Sequence, residues 1–140
     1  MNSNFQLAYI SESTQGTGDA DVQAIVHVAR SYNASRSITG LLIYNAGHYM
    51  QFLEGPQDAV LACFEKVRHD RRHHALHPFF EGSAETRAFA AWTMAYRNFE
   101  SYEPFLRTKF EECVFAVTRG EIVYTREAAL EVMQLFARTW

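Results

Sequence analysis

Apolar and polar positions along the chain change their spacing several times, and each change marks a predicted element. Residues 5–11 mix apolar and β-favouring side chains and predict a first strand. A helix follows a polar, glycine-containing loop, and Asp19 can cap its start. Its apolar positions are three or four residues apart and form one stripe: Val22, Ile25, Ala29 and Tyr32.

The middle of the chain predicts a hairpin and a second helix. Branched apolar residues over 38–44 predict the second strand, 45–47 a short turn and 48–54 the third strand. Pro56 suits the first turn of a helix. The buried stripe predicted for that helix is Val60, Phe64 and Val67.

Two more strands complete the pattern of the sheet. Residues 77–81 predict a weak fourth strand and 90–96 a better fifth one. The order β-α-β-β-α-β-β predicts an α+β fold, a ferredoxin-like sheet of about five strands with two helices on one face.

The character of the chain changes after residue 98. Segments 102–113 and 126–140 look helical, around a break at 119–120. We therefore divide the chain into a core domain, 1–98, and a C-terminal helical extension, 99–140. The extension has too many apolar positions for a free tail. We expect it to pack against the outer face of the sheet or against another subunit.

Composition narrows the function mainly by exclusion. A hydrophobic fraction of 48% fits a globular protein, and a net charge of −3 without a long basic patch argues against a nucleic-acid partner. No apolar run approaches the roughly 18–20 residues of a membrane span, and the N-terminus lacks a signal-peptide pattern. Two cysteines are too few for a disulfide framework. We expect a cytoplasmic protein with no membrane or nucleic-acid partner.

Two carboxamides carry the most specific chemical signal. Asn33 precedes the Ser-Ile-Thr-Gly block at 37–40, and Gln51 opens the Gln-Phe-Leu-Glu-Gly-Pro block at 51–56. Each amide offers a donor and an acceptor on a short side chain. That chemistry suits a planar ligand whose edge alternates carbonyl and N–H groups, as a flavin ring does. Tyr9 adds a redox-active phenol to the group.

Each of these residues also has an ordinary structural interpretation. Tyr9 is typical of a half-buried strand, Trp92 and Met94 can be core residues, and Glu54 can stabilise the dipole of the second helix. Four histidines suggest a metal, but no carboxylate and thiol set completes a zinc site, so we expect none: His69, His73, His74 and His77.

Six stretches, in order, resemble the BLUF family of blue-light sensors that use flavin. They are 7–11, 32–33, 38–44, 49–56, 70–73 and 87–94, and together they cover roughly 5–97. The resemblance implies a short, stand-alone photoreceptor, not an enzyme, with non-covalent FAD, FMN or riboflavin. No glycine-rich phosphate-binding motif is present, which agrees with a nucleotide tail near the surface.

The resemblance also implies roles for individual residues in binding the flavin. The implied cofactor-binding residues are Asn33 and Gln51 at the polar edge of the ring, Ile25 and Leu42 over its faces, and Arg72 and His73 toward its polar tail.

The photochemical roles follow from the same resemblance. Tyr9 is expected to donate an electron and a proton to the excited flavin. Gln51 is then left in a rearranged hydrogen-bonding state, by rotation or by tautomerisation, which gives a red-shifted signalling state. Trp92 and Met94 are expected to relay the signal.

Three functions remain open from the sequence. The first is a light sensor that signals to a downstream protein in trans, as a homo-oligomer. The second is a light-independent flavin- or ligand-binding regulator of the same fold, and the third is a small flavin enzyme. The presence of both Tyr9 and Gln51 favours the sensor.

Overall fold

The structure is a computed structural model that describes residues 4–14, 19–71, 73–88, 94–98, 104–119, 131 and 134–135. Its elements, in chain order, are β1 (Asn4–Ser13), α1 (Asp19–Ser35), β2 (Thr39–Asn45), β3 (His48–Pro56), α2 (Gln57–Arg68), β4 (His73–Ala84), β5 (Ala95–Asn98) and α3 (Pro104–Arg119).

The strands form one sheet in the order β4-β1-β3-β2-β5. The neighbours β4–β1, β1–β3 and β3–β2 are antiparallel, whereas β5 is parallel to β2. Helices α1 and α2 pack on one face and α3 packs on the other. The predicted α+β fold, with five strands and two helices on one face, is confirmed.

Alternating side chains of the central strands fill two separate cores, one on each face of the sheet. Because both faces are buried, the sequences of these strands are continuous apolar runs. The core under α1 and α2 includes, from the sheet, Phe5, Leu7, Tyr9, Leu42, Tyr44, Tyr49 and Leu53. The core under α3 includes, from the sheet, Ala8, Ile10, Leu41, Ile43, Met50 and Phe52. The side chains of neighbouring residues in one strand therefore point to opposite faces of the sheet and belong to different cores.

Helix α3 is the described part of the C-terminal extension. Leu106, Phe110, Cys113 and Val114 pack into the core of its own sheet face. The helix continues to Arg119, beyond the predicted end at 113. Packing on the outer sheet face is the arrangement expected for this extension, while the division at 98 and 99 stays a prediction.

Several predicted boundaries differ from the structure. The fourth strand spans His73–Ala84 instead of 77–81. The fifth is Ala95–Asn98 instead of 90–96, and positions 90–93 of that prediction lie outside the described residues. Met94 is in the bend before β5 and not in the strand. Pro56 ends β3, and α2 starts one residue later.

Glu54 has a different role from the helix-dipole interaction expected for it. Its carboxylate is fully buried and accepts hydrogen bonds from Gln6 Nε2 at 3.2 Å, Thr39 Oγ1 at 3.3 Å and the Ala88 backbone N–H at 2.9 Å. Asn4 Nδ2 donates to it as well, at 3.4 Å. One carboxylate thus joins three strand ends to the connection between β4 and β5.

Gly40 offers a direct test of the close approach of β2 and β3. A Cβ at this position would overlap the backbone carbonyl oxygen of Phe52. We expect Gly40→Ala to lower the free energy of unfolding by at least about 2 kcal/mol, because a strand must move to accommodate the methyl group. Urea denaturation of the flavin-free protein, followed by circular dichroism, measures this loss.

Gly82→Ala is the matched control for that substitution. A Cβ there would meet its nearest neighbour, Phe80 Cζ, at an ordinary 3.7 Å. We expect its stability to stay within about 1 kcal/mol of the wild type. Equal losses in the two variants would contradict the close approach at Gly40.

Candidate functional site

Strand register brings three of the predicted site residues into one row. Tyr9 on β1 pairs directly with Gln51 on β3, which pairs with Leu42 on β2. Side chains directly opposite one another in a sheet point to the same face. This row therefore lies on the face that α1 and α2 cover.

A cleft with an open volume of about 850 Å³ lies above this row, between α1 and α2. Its walls are mostly apolar and its lining residues are Tyr9, Ile25, Val28, Ala29, Tyr32, Asn33, Leu42, Tyr49, Gln51, Cys63, Lys66, Val67, Asp70 and His73.

A chain of hydrogen bonds runs through Gln51 at the base of the cleft. The Tyr9 hydroxyl donates to Gln51 Oε1, and Gln51 Nε2 donates to Met94 Sδ at 3.5 Å. Tyr9 is 2% exposed and Gln51 is 6% exposed. Because the two ends of the amide differ in donor and acceptor character, turning it over would disrupt both bonds together.

Burial is the largest cause that raises the pKa of Tyr9 well above its usual value of 10.0. Interactions with Cys63, Asp70 and Tyr49 raise it further. The phenol therefore remains protonated at neutral pH. Its ring also contacts Phe64, with 5.4 Å between the ring centroids.

Asn33 is buried in the last turns of α1, where the chain changes direction into β2. The backbone carbonyl oxygen of Asn33 accepts from the backbone N–H groups of Arg36 at 3.1 Å and Ile38 at 2.9 Å. Between them, Ser37 has a left-handed φ of 59°. The Cys63 thiol donates weakly to Asn33 Oδ1 at 3.8 Å. This tight helix end holds the Asn33 carboxamide at the wall of the cleft.

His73 links β1 to the end of α2 beside the cleft. Its Nε2 is 2.6 Å from the Val67 carbonyl oxygen, and its Nδ1 is 2.8 Å from Ser11 Oγ. A carbonyl oxygen can only accept, so Nε2 carries a proton and, in the neutral ring, Nδ1 accepts from the serine hydroxyl. The ring therefore has a fixed orientation.

A family model described as "Sensors of blue-light using FAD" matches residues 5–95, more than half of the chain. The chain belongs to the BLUF family. The beta subunit of photoactivated adenylate cyclase from Euglena longa is 39% identical over 89 residues, which are 63% of this chain and 10% of that protein. The chain thus spans about a tenth of the length of that curated relative.

Two solved BLUF-type structures are similar over most of their length. The structure titled "BlsA photo-activated state" has a TM-score of 0.76 at 25% identity and matches 94% of this chain and 92% of that one. The dark-state structure of BlrB, titled a BLUF protein, has a TM-score of 0.71 at 28% identity and matches 85% and 95%.

The cleft fits the flavin that BLUF proteins bind. Its apolar walls suit the faces of a flavin ring, and the buried amides of Asn33 and Gln51 suit the ring's polar edge. The predicted residues that line it are Tyr9, Ile25, Asn33, Leu42, Gln51 and His73. Met94 reaches the site through Gln51, whereas Arg72 and Trp92 lie outside the described residues.

Some lining residues were not assigned to the site from the sequence. Tyr49 lies two positions before Gln51 on β3 and so shares its face. Val67 was predicted only as a buried residue of the second helix, and Cys63 lies one turn before it on α2. Strand and helix periodicity could have placed all three at the cleft.

The described ranges contain neither a group of metal ligands nor a helix that could span a membrane. No group of three or more His, Cys, Asp and Glu side chains among those residues could hold a metal ion. In the same part of the chain, no helix is long and apolar enough to cross a membrane.

Burial also raises the pKa of Cys63, from 9.0 to about 11, against opposing effects of Lys66 and Arg36. A raised pKa means that the thiol stabilises the fold fully below pH 9 and that this contribution is lost as the pH rises to about 11. We expect the unfolding free energy to fall over this interval, by about 1–3 kcal/mol on account of Cys63. Urea denaturation at several pH values measures the slope.

Cys63→Ala should flatten that slope because it removes the titrating thiol. A further loss above pH 10 should remain in this variant because the pKa of Tyr9 is also raised. An unchanged slope in Cys63→Ala would show that this thiol is not the titrating group.

Proposed function

We propose that this BLUF chain senses blue light through a flavin held non-covalently between α1 and α2, with Gln51 as the switch. FAD is the expected form, and FMN or riboflavin would fit the same ring site. The observation that carries the proposal is the buried hydrogen bond from the Tyr9 hydroxyl to Gln51 Oε1 at the base of the mostly apolar cleft between α1 and α2.

Binding is divided between the polar edge and the apolar faces of the ring. Asn33 and Gln51 would hydrogen-bond the edge, while Ile25 and Leu42 would cover the faces. His73 would lie toward the polar tail, and its two fixed hydrogen bonds keep its ring in one orientation. Lys66 at the cleft wall adds a positive charge that suits a phosphate-bearing tail.

A bound flavin absorbs blue light and, while excited, accepts an electron. Tyr9 is the donor in this proposal, because it is the phenol bonded to the switch residue. It would give its electron to the excited flavin and its hydroxyl proton to Gln51 Oε1, the acceptor of its hydrogen bond. It would regain both on relaxation, so that Tyr9 and the cofactor end unchanged. Gln51 alone differs between the two states.

Rotation and tautomerisation of Gln51 have the same consequence for its bond with Tyr9. Either change puts a donor where Oε1 now accepts from Tyr9. The rearranged amide would then bond a ring carbonyl and shift the absorption to the red. A light-independent flavin-binding module would have no need of the Tyr9–Gln51 bond, so this bond favours a sensor.

Signal output is proposed to pass through the segment 99–140 to a partner protein in trans, in a homo-oligomer. Helix α3 packs on Met50 and Phe52, the neighbours of Gln51 in β3 that face the other side of the sheet. It also exposes Phe105 by 57% and Phe115 by 51%. A strand that moves at Gln51 would therefore move the support of a helix that exposes two aromatic side chains.

Tyr9→Phe tests the photochemical role of the phenol. The substitution keeps the ring that packs on Phe64 but removes the hydroxyl that bonds Gln51. We expect flavin to remain bound and the light-induced red shift to be lost, as it should also be in Gln51→Leu. A light-minus-dark absorption spectrum of each variant measures this.

Tyr49→Phe is the matched control, because Tyr49 is a second phenol in the cleft wall and is not the phenol bonded to Gln51. Its red shift should persist. A normal shift in Tyr9→Phe, or a loss that is equal in Tyr49→Phe, would contradict the assigned donor.

Asn33→Ala tests the binding role of the first carboxamide. Leaving part of the flavin edge unpaired costs about 1–3 kcal/mol, so the affinity should fall about 5- to 150-fold while the red shift of the bound fraction persists. A fluorescence titration with flavin measures the affinity. Ser35→Ala, at the same helix end but outside the cleft, should bind normally. Equal affinities in the two variants would argue against the contact.

A further inference from the structure

Arg30 on helix α1 is connected to the proposed switch residue, Gln51, through Met94. Its guanidinium Nε donates to the backbone carbonyl oxygen of Met94 at 3.0 Å. The side chain of the same methionine accepts from Gln51 Nε2 through Sδ, at 3.5 Å. Met94 is therefore joined to the helix by its main chain and to the switch by its thioether.

The location of Met94 makes an anchor of this kind necessary. The paired register of β2 and β5 begins with Leu41 opposite Ala95, so Met94 lies one residue before the paired strand. Yet its side chain is buried in the core under α1 and α2. Its depth in that core depends on where its main chain is held.

The two bonds to Met94 differ in strength. A thioether sulfur is a weak acceptor, so the bond from Gln51 cannot by itself hold a chain segment in place. The bond from Arg30 is charge-assisted and is about twice as strong as a neutral one. The arginine, and not the glutamine, therefore sets the position of Met94 Sδ.

The opposite end of the same connection has its own arginine. Arg87 donates to the Ser37 carbonyl oxygen at 2.6 Å and to Thr39 Oγ1 at 3.1 Å, and the next backbone N–H, that of Ala88, is bonded to Glu54. The connection between β4 and β5 is thus held before 89 by Arg87 and Glu54, and after 93 by Arg30. Arg30 is the anchor on the side of the switch.

We propose that Arg30 is a positioning residue of the photocycle, which holds the Met94 main chain so that Met94 Sδ meets Gln51 Nε2 in the dark. The proposal rests on the proposed function in taking Gln51 as the switch. When the amide rearranges, its bond to Sδ is lost, while the bond from Arg30 keeps the methionine main chain in place. The dark arrangement can then re-form without first ordering the segment.

The test uses two readouts on the full chain. The first is the methyl carbon-13 NMR spectrum of the flavin-free protein in the dark, in which four methionines give four signals and Met94→Leu assigns one of them. Arg30→Leu removes the donor and keeps an apolar stem. It should shift the Met94 signal, whereas Arg30→Lys should leave it near its wild-type position.

Arg68→Leu is the matched control, since Arg68 is also an exposed helix arginine but pairs with Glu65. It should leave all four methionine signals unchanged. An Arg30→Leu spectrum identical to that of the wild type would overturn the proposal, whatever the protein does in light.

The second readout is dark recovery of the flavin-loaded protein after blue light. Arg30→Leu should keep the red shift and recover about three- to tenfold more slowly, with Arg30→Lys and Arg68→Leu within about twofold of the wild type. Unchanged recovery in Arg30→Leu would overturn the photocycle role. Wild-type protein without a red shift would overturn the proposed function, and the Met94 signal would still decide whether Arg30 holds Met94.

Discussion

The register between β1 and β3 is the constraint on which the site depends. It places Tyr9 directly opposite Gln51 and lets a buried phenol donate to a buried amide. A shift by one residue would turn Gln51 toward the other face of the sheet. On the other side of β3, the close approach of Gly40 in β2 to the Phe52 carbonyl leaves no room for a Cβ.

Side chains alternate along the central strands, so the two faces of the sheet differ in the polarity of their residues. One side carries the cleft, with its amides, phenols and thiol, and the other carries an apolar core under α3. Gln51 lies between Met50 and Phe52, which belong to that second core. A rearranged amide can therefore act in two directions, along β3 toward α3 and through Met94 toward α1.

Local patterns in the sequence were sufficient for the element order and for the cleft residues that lie in motifs, such as Asn33 and Gln51. They were insufficient for β4, because its extra length comes from backbone pairing with β1 at the sheet edge and not from a regular alternation of buried side chains. The contacts of Glu54 with Ala88 and of Arg30 with Met94 join residues 34 and 64 positions apart. No spacing rule indicates such contacts, since they depend on how the connection between β4 and β5 folds over the sheet.

The central claim is that light changes hydrogen bonds around the flavin and leaves the flavin itself chemically unchanged. The most direct measurement is the absorption spectrum of the purified wild-type protein, loaded with FAD, before and after blue light and again after a period in the dark. The account predicts a flavin band displaced to longer wavelength without bleaching, which returns fully in the dark. No displacement, or a bleached band that marks reduced or covalently bound flavin, would contradict it.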